Sequence, residues 1–407
     1  MDMKVLVVVA GGLHLGYLGC YGNLWIETPC LDRLAAEGIV FDQHYADCPA
    51  SNFRTSWTGR YCFPGLDGGD DSHDPPPQLG QLLEAHGIPR TLIPDPGRFS
   101  EMARPAGIDL LEVARGTVAR ALDRLGSPKQ WLVWLDLPSL APPWEVPGEY
   151  LERYFAKPVP DEELDPEQAE ETPPLEPWLD PACGPLDVND ETAWQRLQNT
   201  YAAVVSHLDA QLGLLLDELD RRGLTNEVLL CVTAERGLAL GEHGILGDHR
   251  PWLHEEFIHL PLLIRLPGRV EAGRRVGALT QPLDLLPTLL DAFGLPLPAT
   301  HGHSLLPLLH GKAEQVRPYA CAGAQVGEAV EWALRTPEWA FLLPVRPAPG
   351  DPPRSAQLYV KPDDRWEMNS LVQHHLEWSE ELEKTLRGFV VATRQPGPFQ
   401  LPPLPEE

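Results

Sequence analysis

Buried-strand runs and amphipathic helices alternate along this chain. Met3–Val9 is a run of aliphatic and β-branched residues interrupted only by Lys4, the pattern of a central strand covered on both faces. Trp131–Asp136, Val228–Thr233 and Pro261–Leu266 repeat it. Between these runs the apolar spacing turns helical. Pro29–Glu37 predicts a short helix with proline at its start and Gly38 just past its end. Gln78–His86, closed by Gly87, predicts another. Ala193–Arg222 carries the clearest stripe, with Leu208, Leu212, Leu215, Leu216 and Leu219 on one helical face. Leu283–Phe293, ended by Gly294, predicts a further helix. Strands alternating with helices imply an α/β domain on a large, mainly parallel sheet with helices on both faces.

Two stretches break this texture. Residues 145–190 are rich in Pro, Glu and Asp and lack an apolar period, so they predict a surface insertion or long loop. From about Arg317, strand-like pieces (TPEWAFLLP, SAQLYVK) precede a helix at Ser379–Phe389. They predict a small C-terminal α+β domain over 317–394, packed on a main domain of 1–316. The Pro-rich 395–407 reads as a disordered tail.

Composition acts mainly by exclusion. Of 407 residues, 59 are Asp or Glu against 32 Lys or Arg, a net charge of −27. Such a chain, with no Lys/Arg run, offers phosphate backbones and anionic bilayers nothing to hold, so neither nucleic acid nor membrane is expected as a partner. The 7 cysteines, an odd number with no CxxC spacing, predict reduced thiols. The first apolar run is far shorter than a signal-peptide core or a membrane span. Together these features predict a cytoplasmic protein, with a protein partner and homo-oligomer formation both left open.

A series of phrases is more specific. LGCYGN at 18–23, TPCLDRLAAEGIVFDQHYA at 28–46, TGRY at 58–61 and PPWEVPGEY at 142–150 begin it. YAAVVSHLDAQLGLLLDEL at 201–219, GEHGILG at 241–247, LPLLIRLPG at 260–268 and PLDLLPTLLDAFGLPLP at 282–298 continue it. In this order they resemble the sulfatase family of the alkaline-phosphatase-like superfamily, over nearly the whole chain outside the acidic stretch and the tail. The resemblance implies a large α/β domain with its active site at the C-terminal strand ends, and a smaller four-stranded C-terminal domain. It also implies four chemical parts: a divalent metal, usually calcium, on carboxylates and an amide or imidazole; a C-x-P-x-R cysteine converted to formylglycine; Lys/His groups on the ester oxygens; and a His that protonates the leaving group.

The chain departs from that pattern at each part. In place of Asp-Asp after the first strand stand Gly11 and Gly12, which supply no side-chain oxygen. In place of Asp followed by His or Asn stand Glu235 and Arg236, and a guanidinium cannot ligate a cation. Counting back from TGRY puts Pro49 at the cysteine position, or Ala50 if one gap lets Arg54 match the arginine. Cys48, just upstream, reads as a reactive thiol or as a small buried hydrophobe. Ser51 and Thr55 are substitute hydroxyls, poor nucleophiles without a metal. The acid histidine's position is Ala141, and the later lysine's is Asp248, beside His249. In IPDPGRF only Arg98 is cationic, and a Lys often seen after RTP-x-W is Ala340. Ser51, Arg54, Glu235, Arg236, His243 and His249 are the polar residues retained around the vestigial pocket, with Arg236 a candidate to fill the metal's place against Glu235.

The expectation is a sulfatase-like protein that lacks the metal ligands, the formylglycine cysteine and the acid histidine: a pseudoenzyme acting in binding or assembly, with no cofactor. Two alternatives stand beside it. One is a divergent sulfate- or phosphate-ester hydrolase with a rebuilt site holding calcium or another divalent metal. The other is a small-anion binding protein in which Arg54, Arg236 and His249 hold the ligand.

Overall fold

The computed structural model describes residues 3–49, 54–64, 78–93, 110–125, 128–155, 175–248, 250–350, 352–395 and 399–405. In chain order its strands are β1 (Lys4–Gly11), β2 (Ile39–His44), β3 (Arg90–Ile93), β4 (Trp131–Leu137), the short β5 (Gly184–Pro185), β6 (Val228–Arg236), the short β7 (Ile245–Leu246), β8 (Leu262–Arg265) and β9 (Arg274–Thr280). The C-terminal unit adds β10 (Ala320–Val326), β11 (Ala329–Arg335), β12 (Trp339–Arg346) and β13 (Gln357–Val360).

Seven strands form one sheet in the order β3-β4-β1-β6-β8-β2-β9. All neighbours run parallel except β8, which is antiparallel to both β6 and β2. Because β8 reverses direction between them, the C-terminal ends of β1, β6 and β2 share one edge of the sheet. Period-two side-chain geometry then divides the core. Leu6, Val8 and Ala10 of β1 pack on one face with Val133 and Leu230, whereas Val5, Val7 and Val9 pack on the other with Leu132 and Leu229. Both faces are covered, which is why the sequence shows continuous apolar runs rather than alternation.

The helix Glu191–Arg221 lies on the first face through the predicted leucine stripe. It also buries Asp209, whose two carboxylate oxygens accept from Cys30 N (2.9 Å) and Leu31 N (2.7 Å). Those are orphan amides at the start of the helix Pro29–Glu37, whose own Thr28 makes no side-chain cap. No helix among the described residues is long and apolar enough to cross a membrane.

The structure corrects two sequence expectations. Within 145–190, the span Gly148–Phe155 is a helix, and it docks on the long helix: Tyr154 Oη and Ser206 Oγ lie 2.6 Å apart. A short apolar stripe in a polar window was hidden by the surrounding Pro and Glu; 156–174 lie outside the described residues. The tail is also not a free end. Phe399, Leu401 and Leu404 pack against the core of the four-stranded sheet β10-β11-β12-β13, and Tyr319 Oη donates to Pro402 O at 2.7 Å. Proline-rich backbone loses little entropy on docking, so three spaced apolar side chains suffice. Removing residues 399–407 is expected to cost about 2–4 kcal/mol from the lost burial alone, read as a lower midpoint in urea. An unchanged midpoint would show the strap to be idle.

Candidate functional site

Parallel pairing of β1 and β6 sets Gly11 opposite Arg236, and Gly12 N donates to Arg236 O at 2.9 Å. Gly12 has φ of 76°, the left-handed region, and a Cβ built there would stand 3.3 Å from Ala141 N. A side chain at this position is therefore strained by backbone and neighbour alike. Tyr201, from the long helix, holds the turn: its Oη donates to Gly12 O (2.5 Å) and accepts from His14 N (2.9 Å). The residue in the acid-histidine position, Ala141, is half-buried in the turn after β4, and its N–H donates to Ser139 Oγ at 3.3 Å.

The segment after β2 comes to the same sheet edge. Asp47, Cys48, Thr55 and Ser56 face Thr233 and Glu235 across a narrow crevice. Asp47 is 2% exposed. Its Oδ1 accepts from Thr55 Oγ1 at 3.2 Å, while Oδ2 has no hydrogen-bond partner among the described residues. Burial pushes this carboxyl up to about 7, against the smaller pull of Thr55 and nearby backbone N–H groups. Its carbonyl accepts from Gly323 N of β10 at 2.8 Å, which ties the crevice wall to the C-terminal sheet. Glu235, near the end of β6, is 8% exposed. Cys48 is half-buried and Pro49 buried. Arg54 begins the short helix Arg54–Thr58. The side chain of Arg54, and the whole of Ala50, Ser51, Arg98 and His249, lie outside the described residues.

Arg236 does not take Glu235 as its ion-pair partner. Its guanidinium pairs with Asp248 and lies over the Phe257 ring, 5.8 Å from the centroid. The resemblance implied a lysine at Asp248 and an amide or imidazole at Arg236; in this chain the two residues supply each other's countercharge.

His243 is placed away from the crevice lining. Its ring lies 4.1 Å from that of His254 and 5.6 Å from that of Trp252, and its Nε2 is 3.7 Å from Glu256 Oε2. Burial, aided by His254, holds His243 down at about 4, and burial pushes the Glu256 carboxyl well above its ordinary range. This cluster opens onto a buried charge network that the sequence reading did not identify. Glu367 meets Arg335 (2.8 Å), Lys361 (3.0 Å) and His254 (2.9 Å). Glu255 meets Lys361 (3.1 Å) and His259 (2.5 Å). Residues 254–259 belong to the main domain, and the others to the C-terminal unit, so the network clamps the two together. Its signal was present in HEEFIH at 254–259, four titratable residues inside an apolar window. Ala340, buried in β12, takes no part in this network through any ionisable group.

Residues 241–320 match the family described as N-sulphoglucosamine sulphohydrolase, C-terminal. Over 399 residues the chain is 24% identical to human iduronate 2-sulfatase, covering 78% of this chain and 70% of that protein. Over 122 residues it is 34% identical to the N-acetylglucosamine-6-O-sulfatase of Bacteroides thetaiotaomicron, covering 30% of this chain and 22% of that one. A protein solved in complex with its substrate D-glucosamine-2-N,6-O-disulfate superposes with a TM-score of 0.74 at 18% identity, covering 97% of this chain and 99% of that chain. The phosphonate monoester hydrolase of Agrobacterium radiobacter gives 0.68 at 19% identity, with 95% of each chain covered. The two superpositions share the fold: the large mixed sheet with its helices and the C-terminal antiparallel sheet.

Proposed function

We propose that this chain, which belongs to the sulfatase family, is a non-catalytic member whose strand-end crevice binds without hydrolysing. One observation carries the reading. The two parallel strand ends that frame the crevice present Gly11, a left-handed Gly12 and an Arg236–Asp248 ion pair where the family resemblance calls for oxygen ligands and basic groups. The donors present do not fit the divalent ion. A hard dication such as calcium takes about six to eight oxygens, whereas the crevice offers the carboxyls of Asp47 and Glu235. Among the described residues no three His, Cys, Asp or Glu are grouped as ligands. With no metal to deprotonate it, the Thr55 hydroxyl stays protonated at neutral pH, its hydrogen directed to Asp47.

The small-anion reading finds less support. The crevice lining carries no cationic side chain among the described residues, and Arg236 is engaged by Asp248. The rebuilt-hydrolase reading would need the same crevice to recover a metal. Several relatives carry the names of sulfatases, so an active sulfatase serves as the control in the decisive assay. Aryl sulfates and aryl phosphates, offered with calcium, magnesium, manganese or zinc, are expected to turn over at the rate seen without protein, and elemental analysis is expected to find substoichiometric metal. Saturable, metal-dependent turnover that Thr55→Ala abolishes would overturn the proposal.

A further inference from the structure

We propose that the groove beneath the C-terminal strap is a recognition site for a proline-rich segment of a partner protein, with the chain's own tail as its resident occupant. The strap forms neither helix nor strand over 399–405, and its exposure follows the three-residue period of a polyproline II helix. Gln400 and Pro403, three apart, face solvent, whereas Phe399, Leu401, Pro402, Leu404 and Pro405 are half-buried. Leu401 and Leu404 are also three apart, so one edge of such a helix carries both, and both pack on the core of the C-terminal sheet.

The groove supplies what such a segment needs. The Phe399 ring lies against those of His301 (4.7 Å), Phe389 (5.5 Å) and Tyr61 (5.9 Å). Tyr319, itself buried, donates its Oη to Pro402 O at 2.7 Å. A polyproline II helix has no internal hydrogen bonds, so its carbonyls are free to accept from such a donor. Aromatic walls are the usual receptor for it, because the preformed helix loses little entropy on docking. Among the described residues the strap makes no backbone–backbone hydrogen bond. A second segment with the same anchors can therefore replace it without breaking a ladder.

The test is fluorescence anisotropy with a labelled, end-capped peptide of residues 399–405, FQLPPLP. It is offered to the full chain and to a full-length Phe399→Ala, Leu401→Ala, Leu404→Ala variant, whose strap no longer fills the groove. The variant is expected to bind saturably and about tenfold tighter than wild type, because the tethered wild-type strap competes at millimolar effective concentration. Adding Tyr319→Phe should weaken that binding by about two- to tenfold through the lost hydrogen bond. A scrambled peptide that moves the leucines off their three-residue spacing should bind about tenfold more weakly. Leu404→Ala alone is milder and keeps the test open if the triple variant unfolds; it should bind the peptide about threefold tighter than wild type. No saturable binding by a folded variant, equal binding by wild type, or equal binding of the scrambled peptide would overturn the site. Wild-type dimers that the triple variant loses would assign the groove to a second copy's tail and overturn the partner. Turnover, found or not, leaves the groove untouched.

Discussion

Asp47→Asn is expected to make the protein more stable above pH 7. The ordinary value of this carboxyl is 3.8 and its folded value is about 7. The folded state therefore holds a proton that the unfolded state has lost across that window. The sign follows directly: stability falls as pH rises from about 4 to about 7, because the unfolded chain binds fewer protons there. Ionising the buried group fully costs the folded state about 4 kcal/mol at 1.36 kcal/mol per tenfold change in proton affinity. Asparagine keeps the acceptor for Thr55 and removes the charge. Chemical denaturation at pH 5 and pH 8 is the check. The wild type should lose stability relative to the variant by about 2–4 kcal/mol between the two, and the two proteins should converge toward pH 4. A wild type that matches the variant at pH 8 would mean that the charge is already neutralised by protein groups.

Glu367→Gln is expected to act in the opposite direction and to be as large. Burial pushes the Glu367 carboxyl up, but Arg335, His254 and Lys361 outweigh it and hold it well below its usual range. Removing the acid leaves Arg335 and Lys361 in the interdomain layer with a neutral neighbour. Breaking one partner out of such a buried network costs about 3–5 kcal/mol. Glu255 belongs to the same clamp: burial raises it, while His259, Lys361 and Arg335 bring it to about 2. A depressed carboxyl stabilises above its unfolded value near 4.5 and loses that contribution as pH falls toward 2. The wild type should therefore keep the clamp at pH 5, and acid should open it only below pH 4. The measurements are the urea midpoint of Glu367→Gln at pH 7 and near-ultraviolet circular dichroism of the wild type from pH 6 to pH 2. A variant within about 1 kcal/mol of wild type would show the network to be replaceable.

The fold was legible because its signals are local and repeated. β1, the leucine stripe at 208–219 and the proline-to-glycine frame of Pro29–Glu37 follow from spacing alone. The antiparallel reversal of β8 was not legible, because Leu262–Arg265 is buried on both faces in either direction and its apolar pattern is the same. The tail was misread for a related reason: Phe399, Leu401 and Leu404 are meaningful only against the groove that receives them. At the site, the glycines and the arginine of the strand ends could be read from alignment with the family phrases. That Gly12 is left-handed, and so bars a simple return of the ligand, could not.

Composition and periodicity determined which elements form, which residues line their buried faces, and which chemistry the strand ends have to work with. Those properties depend on neighbours a few positions away. The tertiary structure alone decided the charge partners. It set Asp47 and Glu235 in one crevice, gave Arg236 to Asp248 rather than to the adjacent Glu235, and gathered Glu255, Arg335, Lys361 and Glu367 between the domains. The physical reason is that a charge is set by what surrounds it in a low-dielectric interior. Those surroundings come from segments far apart in the chain, which only packing brings together.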